Sequence, residues 1–61
     1  MNNEELIMLC IDALEDKAKT EMEKAVRAGR EGDYSSKRYH TDNFNEIAKA
    51  IERLELERYN V

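Results

Sequence analysis

Proline and tryptophan are absent from this 61-residue chain, glycine occurs twice, and cysteine and histidine once each. Without proline, nothing in the backbone forces a helix to kink or stop. One cysteine excludes an intrachain disulfide, and a single Cys with a single His falls short of the four ligands of a structural zinc site. A domain this small buries only about 60 % of its unfolded surface and commonly relies on a disulfide, a metal or self-association. Of these, self-association remains. Long apolar runs are missing too. The longest, Leu6-Ile7-Met8-Leu9-Cys10-Ile11, has six residues, where a membrane span needs about 20. It follows an acidic start, Met1-Asn2-Asn3-Glu4-Glu5, which has neither the basic region nor the long apolar core of a secretory signal. The expectation is a soluble, cytoplasmic chain with no membrane partner.

What is present is helix-forming material. Residues 3 to 28 are dense in Glu, Lys, Ala, Leu and Met, all favourable in helices. Asn2 with Glu5 three residues later is a capping pair. Ile7, Ile11, Leu14, Ala18, Met22 and Ala25 recur every three or four residues, which draws an apolar stripe along one long helix. Cys10, inside the apolar run, reads as a small buried hydrophobe. Both glycines fall in Ala28-Gly29-Arg30-Glu31-Gly32-Asp33-Tyr34. Glycine suits the left-handed residue that closes a helix, and Asp33 is a good N-cap for the next. Asn43 followed by Glu46 offers a second start, but the later start leaves a loop of a dozen residues, uncommon in a compact domain.

The run Glu31-Gly32-Asp33-Tyr34 between Ala-rich helices is similar to the turn of tetratricopeptide and related helical-hairpin domains. The resemblance covers about ten residues and implies a helix-turn-helix hairpin, with no binding residue carried over. The expected fold is therefore all-α: one domain over residues 1–61, with helix 1 at about 3–29, a turn at 29–33 and helix 2 at about 34–59. Phe44, Ile47, Ala48, Ile51 and Leu54 form the facing stripe, with Leu14 near Ile47 and Ile51, and Ala18 near Phe44 and Ala48. A six-residue apolar run points all round a helix, and one hairpin covers only part of that girth. Leu6, Leu9, Cys10, Leu56, Tyr59 and Val61 are the candidate self-association surface. They would join two copies into a four-helix bundle, or more copies into a higher symmetric helical oligomer.

No catalytic constellation is visible. A Cys–His nucleophile pair needs hydrogen-bond contact, and His40 lies thirty residues from Cys10, well apart in a hairpin. Acid pairs one turn apart, such as Asp12/Asp16 and Glu52/Glu55, have no cleft to desolvate them. No enzyme activity, cofactor or metal is expected. Charge is more informative. Residues 1 to 23 hold seven acids and two bases, residues 24 to 40 five bases and two acids, and residues 41 to 61 five acids and three bases. The basic stretch lies around the turn and is interleaved with aromatics: Arg27, Arg30, Tyr34, Lys37, Arg38, Tyr39 and His40. Cations beside aromatic rings can pair with phosphate and stack on a base. The overall charge of −4 argues against general nucleic-acid binding. The expected function is a small non-enzymatic interaction protein, a homo-oligomer that binds and blocks or bridges a larger protein partner. The alternative is an oligomer that sequesters a nucleotide, another phosphorylated ligand or RNA at its basic tips.

Overall fold

A computed structural model describes residues 2–59. The first helix, α1, runs Asn3–Arg30 and the second, α2, runs Tyr34–Tyr59, packed side by side as an antiparallel hairpin. The molecule is a flat rod with extents of 45 × 16 × 10 Å. Its helix ends follow from the residues placed there. Asn2 is extended, and its Oδ1 accepts the Glu5 backbone N–H at 2.8 Å. Glu4 and Glu5 fill the first turn of α1, and Arg27 and Arg30 the last, each sign matching the helix dipole at its end.

The turn closes with a pair of reverse hydrogen bonds. Asp33 N–H donates to the Ala28 carbonyl at 2.9 Å, and Gly32 N–H donates to the Gly29 carbonyl at 3.2 Å. This Schellman arrangement needs one left-handed residue just beyond the cap. Gly32, at φ 76°, is that residue. Asp33 then starts α2, its Oδ1 accepting the Ser36 N–H at 3.1 Å. The earlier of the two possible starts for the second helix is the one the chain uses.

The seam between the helices is thin. Ile11, Ala18, Ala25, Ala28 and Ile47 are its buried apolar side chains among the described residues. Ile7, Leu14, Phe44, Ile51 and Leu54 are half-buried around them. Three of the five buried groups are alanines, and small side chains let helix axes approach closely. Two residues depart from the expected stripe. Ala48 is exposed, because the α2 seam runs through Ser36, His40, Asn43, Ile47, Ala50 and Leu54. Met22 is 41 % exposed, and the seam position beside it belongs to Glu21 at 8 %. Cys10, expected in the core, is also exposed, since Ile7, Ile11 and Leu14 supply the seam at that end.

Candidate interaction surfaces

Glu21 stands three residues after Ala18 and four before Ala25, which is the spacing of the seam itself. A carboxylate there requires a partner, because burying a charge without one is costly. His40 supplies it from α2. Its Nδ1–H donates to Glu21 Oε2 at 2.6 Å, with both side chains largely covered. This bond holds the Glu21 carboxyl below its ordinary value of 4.5; hydrogen bonding from Asn43 and the charges of His40 and Lys24 act in the same direction, against the opposing push of burial. His40 is therefore an element of the seam and not of the exposed basic group around the turn. The level of His40 on α1 is eleven residues past Cys10, or roughly 16 Å along the helix, so the two do not meet.

The remaining basic-tip residues divide among different sides of the rod. Arg30, Tyr34 and Lys37 line one shallow recess together with Met22, Val26 and Thr41. Arg27 borders a neighbouring recess with Met22, Glu23, Val26 and Arg30, and another with Lys24 and His40. Tyr39 faces the other broad side, beside Lys17, Glu21, Asn43 and Glu46, and its ring stands edge-on to His40 at 5.1 Å. Tyr34 and Tyr39 are 70 % and 63 % exposed, and Arg38 is exposed as well. Three of the seven, Arg30, Tyr34 and Lys37, share one recess: two cations and a phenol around an apolar floor.

The far end of the rod carries the expected apolar residues without gathering them into one face. Leu6, Leu9, Leu56 and Tyr59 are exposed at 53 %, 53 %, 59 % and 80 %. Leu9 lies between the seam residues Ile7 and Ile11 in sequence, and Leu56 between Leu54 and Arg58. With about 3.6 residues per turn, each therefore points away from the seam, on opposite outer edges of the hairpin. Val61 lies outside the described residues. Arg58 bridges the two helices here, with Nε 3.7 Å from Glu4 and Nη1 3.8 Å from Glu55.

Among the described residues no group of three or more His, Cys, Asp or Glu is placed to hold a metal ion, and no helix is long and apolar enough to cross a membrane. No family model, curated protein or solved structure matches the chain.

Proposed function

We propose that this chain is a small non-enzymatic interaction protein that self-associates and binds a larger protein partner, blocking or bridging it. The observation that carries the reading is the balance of apolar side chains. Nine large ones are exposed among the described residues, against five buried apolar residues, three of which are alanine. The chain exposes 4888 Å² at a mass of 7.2 kDa, where a compact monomer of that mass exposes roughly 4100 Å². The difference is of the order of one partner's share of a standard interface, about 800 Å². Leu9 and Leu56 project from opposite outer edges, so one of them stays available to a partner when another face is covered. The test is capture of interacting proteins from the source cells with the wild type and with a Leu9→Glu/Leu56→Glu variant. A specific partner retained by the first and lost by the second is the expected result; the same set of proteins on both contradicts the reading.

A second reading rests on a different observation, the convergence of Arg30, Tyr34 and Lys37 in one recess. Two cations there suit a phosphate, and the Tyr34 ring suits a base. On this reading the protein sequesters a nucleotide or binds RNA. Calorimetric titration with nucleoside triphosphates tests it, with binding expected for the wild type and lost in Arg30→Glu. RNA binding would further weaken steeply as salt is raised.

A further inference from the structure

The two broad sides of the hairpin differ in chemistry. One is polar, lined by Lys17, Glu21, Tyr39, Asn43 and Glu46. The opposite side begins at the turn with the recess that holds Arg30, Lys37, Met22 and Val26. Steps of three and four residues continue it along α1 to Glu15 and Met8, and along α2 to Phe44, Ala48, Ile51 and Glu55. Met8, Met22 and Val26 are 38 %, 41 % and 45 % exposed, and Phe44 and Ile51 are only half-buried by the seam. The side is thus apolar along α2 through Phe44, Ala48 and Ile51, mixed along the middle of α1 at Glu15 and Lys19, basic at the turn and acidic at the far end. At the far end one guanidinium, Arg58, faces both Glu4 and Glu55, which leaves negative charge in excess. At the turn neither Arg30 nor Lys37 is in an ion pair among the described residues.

We infer that a second copy of this chain covers this side in antiparallel orientation, the turn of one hairpin lying over the far end of the other. The inference rests on the self-association reading above and gives it a face and a direction. Lys17 and Glu46 border the same recess and so mark one level near the middle of the rod. A twofold axis at that level stacks α1 on α1 and α2 on α2. Arg30 of one copy then lies over Glu4 of the second copy, and Lys37 over Glu55. Between them Val26 meets Met8, Phe44 meets Ala48, and Glu15 lies beside Lys19. The charged matches Arg30/Glu4, Lys37/Glu55 and Glu15/Lys19 are each between opposite signs, and Val26/Met8 and Phe44/Ala48 are apolar, while Met22 falls opposite Asp12 and Ile51 opposite Thr41. The parallel alternative crowds Arg30 and Lys37 of both copies at one end and the acids of both at the other, which is repulsive at each. The face, about 45 by 16 Å, is of the size a stable interface needs, roughly 800 Å² per partner.

The test combines molecular mass with a distance. Ser35 is exposed, next to the turn. A nitroxide is attached to Ser35→Cys in a Cys10→Ser background and read by double electron–electron resonance. Antiparallel copies separate the two labelled positions by 22 residues, about 33 Å along the rod, whereas parallel copies set them at the same level, with no such separation. A dimer with the long distance is expected, and a dimer with the short one overturns the antiparallel packing while self-association stands. A monomeric wild type overturns both. The face is tested with Val26→Glu, at an exposed position that leaves the hairpin intact by circular dichroism. Dissociation by Val26→Glu but not by Leu9→Glu is expected, and the reverse pattern assigns the interface to the outer edge and overturns the proposal.

Discussion

Glu21 is the charged residue on which the seam depends, and its setting has a consequence for pH. Its carboxyl is held below 4.5 by the His40 hydrogen bond. A depressed carboxyl binds fewer protons folded than unfolded, so its contribution is complete above about pH 4.5 and is lost as pH falls through the folded value. Urea denaturation between about pH 3 and 6 should show stability rising with pH in that window, and Glu21→Gln should flatten the rise. An unchanged slope in Glu21→Gln contradicts this role for the carboxylate. His40→Ala removes the main partner of a covered carboxylate and lowers the melting temperature at neutral pH. By contrast Ile47→Ala acts through packing. Truncating a buried aliphatic of this size costs about 2–5 kcal/mol, and the thin seam offers few other contacts to offset it. The variant should be largely unfolded by circular dichroism, and an Ile47→Ala protein that melts cooperatively at the wild-type temperature would contradict the assignment of Ile47 to the core. The Glu21–His40 pair was not legible from periodicity, because an apolar stripe passes over a charged residue and picks its apolar neighbour, here Met22. The signal that was present is the spacing of Glu21 between Ala18 and Ala25.

The two helices and the turn were legible because each boundary carries its own chemistry: Asn2 at the first cap, Gly32 beyond the C-cap, Asp33 at the second start. The glycines of the turn have opposite roles, which makes them a sharp test. Gly32→Ala forces a side chain into the left-handed region at φ 76°, a cost of about 1 kcal/mol or more. Gly29 sits inside α1, where a Cβ would approach only the Lys37 stem, at 3.3 Å. Lys37 is exposed and flexible and can shift, so Gly29→Ala should raise stability by about 0.5–1 kcal/mol through helix propensity. Chemical denaturation of the two variants checks the pair, and a loss in both would contradict the account of the turn. Which residues of the apolar run face the seam was less legible. A run of six gives no phase of its own, and the register is set by the helix opposite. That is why Cys10 falls outside and Ile11 inside. In the same way Ala48 yields its place to Ala50, because the α2 seam is phased by His40 and Ile47.

The hairpin taken whole is a narrow rod with a short supply of buried apolar surface and opposite charge at its two ends. The sequence carried both features, in its charge blocks and in its excess of apolar residues over what two helices can cover. It did not show that the basic residues divide among different sides, because a charge block in sequence winds round a helix in space. Arg30 and Lys37 converge, whereas Tyr39 faces the other side and His40 lies in the seam. An assembly held at its ends by ion pairs between copies should dissociate more readily as salt rises, since exposed pairs are screened beyond about 10 Å at 0.1 M. Its apolar contacts, Val26 with Met8 and Phe44 with Ala48, should keep that salt dependence moderate. The mass of the protein in gentle native mass spectrometry decides whether the hairpin works alone. Twice the 7.2 kDa of one chain, with no added ligand mass, is the predicted result. A single-chain mass that persists as concentration is raised would contradict self-association and leave the exposed apolar side without its proposed cover.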